Sequence, residues 1–365
     1  MKNTSKVSQI RSLAAAGLPP EGFISAVLEA LHGVIPSYRN LFDWTDPDGR
    51  LVRYFFEGPI DHEVAKHYFE EFHNRRELEV MPAFRDTITG KASVQSAEQL
   101  DQPAFYESAL YNEIWRPQRL KTRIETIVRA GNGTPLGSLV LYRGPGDRRF
   151  TQADERLLER IAPYVARGLT ATTSKSAPAP FTPSPSGLAF VCLGTHGQVT
   201  QLSANAHRLL LLAHGDVTPE RAAAAPTAES FPVLATLCRQ WLSQRDAFQS
   251  CSLQVQNAWG QFVFDGCGLR GAQADAGAQL HVTISHREPN IVAARRAVAS
   301  FELTPAQQEV CLLLHAGHSQ TEAADQLGVS TATVVDHVRK IYAKLDVHSV
   351  IELVNLINTR QHVKT

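Results

Sequence analysis

Cysteine and methionine are scarce in this chain, and it has no long apolar run. Of its 365 residues, five are cysteine and two are methionine. The cysteines are odd in number, widely spaced and without a C-x-x-C pair, so they predict small buried side chains in a reducing cytoplasm rather than a thiol sensor. No apolar stretch approaches the length of a membrane span, and the polar start MKNTSKVSQIR differs from a signal peptide. We therefore expect a cytoplasmic protein.

Net charge is also lacking. The 36 Lys and Arg balance the 36 Asp and Glu, and the sequence pI is about 7.2. Bulk charge therefore indicates neither a nucleic acid nor a membrane as partner. A hydrophobic fraction of 43% and a charged fraction of 20% are typical of globular proteins. The length predicts two to three domains.

Proline is concentrated in residues 171–187, ATTSKSAPAPFTPSPSG. Four prolines among Ser, Ala and Thr predict a semi-rigid linker between an N-terminal block, residues 8–170, and a middle block, residues 188–286. Residues 287–300 predict a connecting helix on which Arg295 and Arg296 are exposed. Residues 301–360 then form a C-terminal domain.

The N-terminal block alternates helices with antiparallel strands. The patterns predict a helix at 23–31, strands at 40–45 and 51–57, a helix at 61–74, strands at 123–130 and 137–142, and a long helix begun by a Thr151–Asp154 capping box. The turn Asp46-Pro47-Asp48-Gly49 and the glycine loop 131–136 close the two hairpins. The order strand, glycine loop, strand and long helix resembles the end of a GAF domain, which implies an α+β sensor fold.

The middle block begins with two short strands around the turn His196-Gly197, followed by Asn205 and an apolar helix. Three more strands are predicted at 249–256, 261–269 and 279–285. Together the strands predict a five-stranded antiparallel sheet with helices to one side. The opening, with an Asn at the junction of strand and helix, resembles the start of a PAS domain.

The C-terminal segment predicts two short helices joined by a tight turn. Ser319 and Glu322 form a capping-box pattern, Gly328 gives the turn its backbone freedom, and Ser330 caps the second helix. A helical wheel places the apolar side chains of the second helix on one face to be buried: Val334, Val338, Ile341, Tyr342 and Leu345. The opposite face is small and polar, which suits a helix in a DNA major groove. An ordinary hairpin with a solvated polar face is the alternative.

These helices resemble the helix-turn-helix of the LuxR/NarL-type bacterial transcription regulators. The matching positions, within a stretch of about 55 residues, are Leu303-Thr304-Pro305, Glu309-Val310, Gly317, Glu322, Ala324, Leu327-Gly328-Val329-Ser330, Thr333-Val334, His337, Ile341 and Lys344-Leu345. The chain departs from the family pattern at Val335, where Lys is usual, and at Ala306-Gln307, where Arg-Glu is frequent. The first difference removes a positive contact.

The resemblance implies three sets of contacts in this chain. Base edges would be contacted by Val335, Asp336 and Arg339, and phosphates by Thr304, Gln320, Ser330, Thr333, Lys340 and Lys344. The last helix would form the dimer contact through Val350, Ile351 and Val354. The alternative for that helix is packing on the chain's own sensor domain.

Charge in the C-terminal domain is unusual for a DNA-binding unit. Residues 301–365 carry five Lys and Arg against seven Asp and Glu, a net charge of −2, whereas such domains are usually basic. Because Arg339, Lys340 and Lys344 lie together, we expect modest affinity per domain, strong salt dependence and a need for dimerisation. Asp336 has two interpretations: it accepts from a cytosine amino group, or it orients Arg339 and Lys340.

Catalytic and metal-binding patterns are incomplete. His62-Glu63 with His67 resembles a zinc-protease helix, but the spacing does not place both imidazoles on one face. His207 or His214 would be the candidates for a haem ligand, although a lone His is more often structural. No Ser/His/Asp or Cys/His set stands out. We therefore expect no enzyme activity, no cofactor and no metal.

Aromatic residues are concentrated in the N-terminal block and predict an apolar ligand pocket with one charged anchor. The candidate lining residues are Phe42, Trp44, Tyr54, Phe56, Tyr68, Phe72, Trp115 and Arg123. For each aromatic residue alone, a place in the core is the more common alternative. The pocket pattern of the acyl-homoserine-lactone receptors does not align with this block, so the effector stays unidentified.

These patterns predict an α+β protein with two antiparallel-sheet sensor domains, GAF-like and PAS-like, followed by an all-α four-helix LuxR-type helix-turn-helix domain. The expected function is a homodimeric transcription regulator that binds a double-stranded DNA operator through residues 330–345 and responds to a small-molecule effector. RNA polymerase is a further expected partner. The alternative is a sensor or adaptor whose C-terminal bundle binds protein partners rather than DNA, an alternative that the charge of −2 leaves open.

Overall fold

Two antiparallel sheets with their helices, followed by a helical bundle, make up the chain. The computed structural model describes residues 2–171, 181–243, 250–270 and 278–361. The predicted α+β class is confirmed. Across these ranges, every helix is too short or too polar to cross a membrane.

The N-terminal domain is a five-stranded sheet with helices packed on it. Its elements are α1 (Lys2–Ala14), α2 (Pro20–Val34), β1 (Arg39–Thr45), β2 (Leu51–Phe56), α3 (His62–His67), α4 (Phe84–Thr89), β3 (Val94–Gln95), α5 (Pro103–Glu107), β4 (Thr122–Arg129), β5 (Pro135–Arg143) and α6 (Gln152–Thr170). The strands pair in the order β2-β1-β5-β4-β3. The predicted capping box of Thr151 and Asp154 is present at the start of α6. The predicted helix 61–74 differs, because its α-helical part ends at His67 and a π-helical turn, Tyr68–Phe72, follows.

The middle domain has the predicted five-stranded sheet. Its elements are β6 (Phe181–Leu193), β7 (Val199–Leu202), α7 (Ala206–His214), α8 (Pro219–Ala223), α9 (Pro232–Ser243), β8 (Ser250–Asn257), β9 (Gly260–Arg270) and β10 (Ala278–Pro289). The order β7-β6-β10-β9-β8 repeats that of the first sheet. The strand β6 begins inside the predicted linker, because Thr182 and Pro183 pair with Glu288 and Arg287 of β10. The linker residues 172–180 lie outside the described residues. Cys267, on β9, is exposed, whereas the other four cysteines are buried as expected.

The two sheet domains share one hydrophobic core. The indole of Trp259, in the middle domain, stacks on Phe55 with ring centroids 5.0 Å apart and meets Trp44 edge-on at 6.1 Å. The backbone N–H of Tyr54 donates to the carbonyl of Val217 at 3.0 Å. Because large aromatic rings bury much apolar surface, these contacts hold the two domains together despite the proline-rich segment between them.

A short helix, α10 (Asn290–Ala299), follows the second sheet, and the sequence interpretation of its arginines was wrong. The guanidinium of Arg296 donates two hydrogen bonds to Glu288, both 2.8 Å, and one of 2.7 Å to Glu29 on α2. The side chain of Arg296 is only 19% exposed and that of Arg295 only 11%. Both were expected to be exposed, but Glu29 and Glu288 pair with Arg296, and Glu309 pairs with Arg295.

Arg295 connects α10 to the C-terminal bundle and to the first helix. Its guanidinium lies 3.4 Å from the carboxylate of Glu309 and also bonds the hydroxyl of Ser12 on α1, which itself bonds Glu309. Ala294 and Val298 of α10 also belong to the core of the bundle. The helix is therefore packed between the sheet domains and the bundle rather than isolated in solvent.

The bundle consists of four helices, as the resemblance implied. They are α11 (Pro305–His315), α12 (Gln320–Leu327), α13 (Thr331–Leu345) and α14 (Val350–Gln361). A capping box of Thr304 and Gln307 begins α11. The helices pack around a core of their own, separate from that of the sheets.

Candidate functional sites

The turn between α12 and α13 has the local geometry that the sequence predicted. The hydroxyl of Ser319 accepts from the amide of Glu322 at 3.2 Å, and the Glu322 carboxylate accepts from the amide of Ser319 at 2.7 Å. This second bond lowers the pKa of Glu322. Gly328 ends α12 in the left-handed conformation with φ 65°, and the hydroxyl of Ser330 accepts from the amide of Thr333 at 3.2 Å. The two helices are therefore held by caps at both ends of the turn.

One face of α13 is buried as predicted. Val334, Val338 and Ile341 lie in the bundle core, together with the small side chains of Ala323 and Ala324 from α12. Tyr342 and Leu345, also expected on this face, are half-buried at its edge. Because alanine side chains are small, α12 and α13 pack closely.

The opposite face of α13 is open to solvent. The side chain of Arg339 is 80% exposed, and Val335 is 48% exposed. Asp336 lies between two cations, with one carboxylate oxygen 2.9 Å from Arg339 Nη2 and the other 2.6 Å from Lys340 Nζ. The hydrogen bond from Lys340, then that from Arg339, lowers the pKa of Asp336. Asp336 thus pairs with both cations, as the second of its two interpretations requires.

The residues expected to contact phosphate lie mostly at helix N-termini. Thr304, Ser330 and Thr333 are exposed, and Gln320 is half-buried at the first position of α12. Free backbone N–H groups at helix N-termini favour anions. Lys344 is exposed but engaged, because its Nζ donates to the carbonyl of Glu302 and to Gln307 Oε1, both at 3.2 Å. Lys340 is exposed and pairs with Asp336, as described above.

The last helix, α14, is packed on one side and open on the other. Leu353 and Ile357 are buried in the bundle core, and α14 packs against α10 and α11. Of the three predicted dimer residues, Val350 and Val354 are half-buried, whereas Ile351 is 73% exposed. An apolar side chain this exposed marks the uncovered face of the helix.

A cavity of about 140 Å³ lies inside the N-terminal domain. Of the predicted lining residues, Tyr54, Phe56, Tyr68, Trp115 and Arg123 line it. The prediction was wrong for Phe42, Trp44 and Phe72, which pack into the core instead: Phe42 meets Trp44 edge-on at 4.8 Å, and Phe72 is fully buried beside His67. In β1, the alternation of side chains directs Phe42 and Trp44 away from the cavity and Leu41 and Asp43 toward it.

The cavity is also lined by three carboxyl groups that sequence reasoning missed: the buried Asp43 and Glu77, and the exposed Asp61, which caps α3. Asp43 accepts from the hydroxyl of Ser138 at 3.3 Å, and Glu77 accepts from the hydroxyl of Tyr68 at 3.0 Å and from the amide of Asn74 at 2.6 Å. Burial raises the pKa of Glu77, and burial together with the charge of Glu125 raises the pKa of Asp43 to about 8. The only sequence signal for Asp43 is a single acid within an apolar strand.

The anchor expected at Arg123 is already paired. Its Nη2 lies 3.0 Å from the carboxylate of Glu125, which is 1% exposed. The neighbouring His73 is neutral at pH 7, because burial lowers its pKa to about 4. The cavity is therefore lined by more carboxyl groups than positively charged side chains.

The histidines considered as haem ligands lie in the middle domain. His207 is buried, with its ring 5.8 Å from that of His62 and 5.9 Å from that of Phe231, and burial lowers its pKa to about 4. His214 packs edge-on against Phe231. Among the residues that the structure describes, no group of three or more His, Cys, Asp and Glu side chains is placed to hold a metal ion.

The cap of α12 gives a local stability prediction. Replacing Ser319 by alanine should destabilise this helix by about 1 kcal/mol, because the amide of Glu322 loses its acceptor. Hydrogen–deuterium exchange of the full chain should become faster in α12. The matched control is Ser349→Ala, which removes the hydroxyl that accepts from the Glu352 amide at 3.1 Å and should act on α14 instead. Unchanged exchange in α12 would contradict the role of the cap.

Several comparisons with known proteins bear on these sites. Residues 302–357 match the family model GerE, described as bacterial regulatory proteins of the luxR family. No curated protein matches the chain. Among solved structures, the chain is similar to VqmA in a Vibrio cholerae VqmA–ligand–DNA complex. The sequence identity is 16%, the alignment covers 48% of this chain and 83% of the VqmA chain, and the TM-score is 0.24.

Two other solved structures have similarly distant likeness. The phycoerythrobilin-bound GAF domain of a cyanobacterial phytochrome is 14% identical, covers 46% of this chain and 96% of that chain, and has a TM-score of 0.31. The E. coli DhaR(N)–DhaL complex is 15% identical, covers 77% of this chain and 87% of that chain, and has a TM-score of 0.25. These superpositions establish no shared fold for the whole chain. The family match coincides with the four-helix bundle: residues 302–357 match the luxR family of bacterial regulatory proteins, and they contain the helix-turn-helix of α12 and α13.

Proposed function

We propose that the chain is a transcription regulator that binds operator DNA as a homodimer and is controlled by a small molecule in its N-terminal domain. The observation that carries this proposal is the open face of α13, within a domain of the luxR family. Its buried face is packed into the bundle, so the helix is held firmly while Val335, Asp336 and Arg339 face outward. A firmly held helix of this kind enters a major groove with its outer side chains toward the base edges.

The net negative charge of the bundle does not oppose this proposal, since three of its seven acidic side chains have partners within the protein. Glu309 pairs with Arg295, the Glu322 carboxylate caps α12, and the Glu352 carboxylate accepts from the amide of His348 at 2.8 Å. The cations Arg339 and Lys340 remain on the open face. A locally positive surface is sufficient for phosphate contact, but it predicts weak binding by a single domain.

The packing of α10 supports control by the sheet domains. Through Arg296 this helix is bonded to Glu29 of the N-terminal domain, and through Arg295 to Glu309 of the bundle. A ligand that shifts the N-terminal domain would therefore act on the bundle through direct contacts. In the proposed mechanism, the effector favours the dimer arrangement that sets two copies of α13 one DNA turn apart. RNA polymerase is a further proposed partner of the DNA-bound dimer.

Selection from a random pool of duplex DNA tests the proposal. The full chain should enrich an inverted repeat, with half-sites about 10 base pairs apart. Its affinity for the enriched sequence should fall steeply as salt rises, because phosphate contacts release counterions. A single-stranded pool serves as the control. If the chain retains no duplex at low ionic strength and instead captures a protein, the adaptor function, which the net charge of −2 leaves open, replaces this proposal.

A further inference from the structure

The cavity in the N-terminal domain combines aromatic walls with an excess of carboxyl groups. We propose that it takes a small ligand in which a protonated amine is carried on a ring-sized apolar body, with the amine at Asp43 and Glu77. This inference rests on the proposed function, because it names the chemical class of the effector. It reverses the polarity of the sequence prediction, in which Arg123 was to anchor the ligand.

The charges around the cavity are the first argument for a bound amine. Arg123 is the guanidinium in the cavity wall, and its charge is balanced by Glu125 at 3.0 Å. Asp43 and Glu77 line the same cavity, and among the described residues neither forms an ion pair with a Lys or an Arg. The basic group nearest to Glu77 is His73, 3.9 Å away, and it is uncharged at neutral pH. A bound cation would favour the ionised form of both carboxyl groups, including Asp43, whose pKa of about 8 leaves it mostly protonated at pH 7 without one.

The hydrogen bonds of Asp43 and Glu77 are the second argument for a bound amine. Asp43 accepts one bond from Ser138 at 3.3 Å, and Glu77 accepts one bond on each oxygen, from Tyr68 and Asn74. A carboxylate has about four acceptor positions, so both groups can accept further donors. An ammonium group offers three donors and no acceptor. Their raised pKa values agree with carboxyl groups that are buried without a cation.

The walls and size of the cavity define the body of the ligand. Tyr54, Tyr68, Phe69 and Trp115 line it, and the ring of Phe69 lies 5.8 Å from that of Tyr54 and 5.1 Å from that of Tyr68. Aromatic faces attract cations as well as apolar groups. The volume of about 140 Å³ is close to that of an engineered apolar cavity, about 150 Å³, that binds benzene. A single ring with a short amine arm therefore fits.

Three probes that share one ring test the charge of the ligand. Thermal unfolding of the full chain at pH 7 is followed with benzylamine, benzyl alcohol and benzoate. Benzylamine should raise the midpoint in a saturable way, benzyl alcohol less, and benzoate not at all. Stabilisation by benzoate equal to or above that by benzylamine would show that Arg123 binds an anion and would overturn the proposal. Absence of stabilisation by all three probes would also overturn it.

Variants locate the amine. Glu77→Gln should weaken the apparent affinity for benzylamine at least about tenfold, because a buried charge partner is lost. The matched control is Glu79→Gln, which removes the same charge from a side chain that is 62% exposed; Glu77 and Glu79 both lie in the short 3₁₀ helix Arg76–Glu79. Equal effects of the two substitutions would contradict the assignment. If Glu77→Gln does not fold, Asp43→Asn takes its place, and the comparison of the three probes needs no variant.

Duplex binding by the same preparation separates this inference from the proposed function. Loss of the benzylamine effect with DNA binding intact rejects only the class of ligand. Absence of DNA binding with a saturable benzylamine effect rejects the proposed function and leaves the amine site in place.

Discussion

Replacing Arg339 by alanine should weaken binding to the selected operator by about 1–3 kcal/mol for each α13, which is roughly 5- to 150-fold per half-site. The side chain is 80% exposed and is held by Asp336 at 2.9 Å, so its guanidinium is presented outward before DNA arrives. A guanidinium of this kind contacts guanine with two hydrogen bonds, and alanine loses both. The expected signature is a relaxed preference at one base pair, measured by competition between operator variants.

Charge alone also affects DNA binding, and two control variants separate that effect. Arg360→Ala removes the same charge from the exposed end of α14 and should change affinity little. Lys344→Ala should weaken binding to all sequences alike and reduce the salt dependence by about one phosphate contact. Equal loss on operator and random DNA for Arg339→Ala would show that this arginine contacts phosphate rather than a base.

The two interpretations of Asp336 are distinguished by a double-mutant cycle. If Asp336 only orients Arg339 and Lys340, Asp336→Ala should cost affinity in the native chain but little once Arg339 is alanine. If it accepts from cytosine, its loss should persist in the Arg339→Ala background and should concern a different base pair. The ion pairs of Asp336 with Arg339 and Lys340 favour the first result, in which Asp336 acts only through these two cations.

Replacing Ile351 by glutamate should abolish dimerisation and, with it, most of the affinity for an inverted repeat. The side chain is 73% exposed, so a charge there leaves the core of the bundle intact, while burying it in a dimer contact is unfavourable. A dimer gains affinity because its second domain binds at high effective concentration. We therefore expect a loss of about 10²- to 10⁴-fold on the full operator, with the affinity for a single half-site unchanged.

Sedimentation and gel-shift titration of the same variant measure this effect. The control is Leu242→Glu, the same chemical change at a side chain that is 52% exposed on α9 of the middle domain. It should leave both the oligomeric state and DNA binding unchanged. A dimeric Ile351→Glu variant would show that α14 is not the dimer contact and would leave its packing on α10 as the role of this helix.

The helix-turn-helix was predictable from the sequence because each of its signals acts over a few residues. The capping box spans Ser319 to Glu322, the turn depends on one left-handed glycine, and the burial of Val334, Val338 and Ile341 follows from helical periodicity. The hairpins and the long helix begun by Thr151 were predicted for the same reason. Local geometry needs no knowledge of the rest of the chain.

The cavity and the couplings between domains had no such local signal. Periodicity correctly identified β1 as a strand, but it does not reveal which face of the strand meets empty space, so Phe42 and Trp44 were assigned to the pocket and Asp43 was missed. The arginines of α10 were expected in solvent, since their carboxylate partners lie outside this helix; Arg296 and Glu29 are 267 residues apart.

The amino-acid order alone therefore determined the helices, most strands and the position of the helix-turn-helix, because these depend on neighbouring residues. Tertiary structure decided that Arg123 is neutralised by Glu125, that Asp43 and Glu77 share one cavity, and that α10 bonds the sheets to the bundle. Electrostatics and burial depend on distances in space, and segments far apart along the chain set those distances only once it has folded.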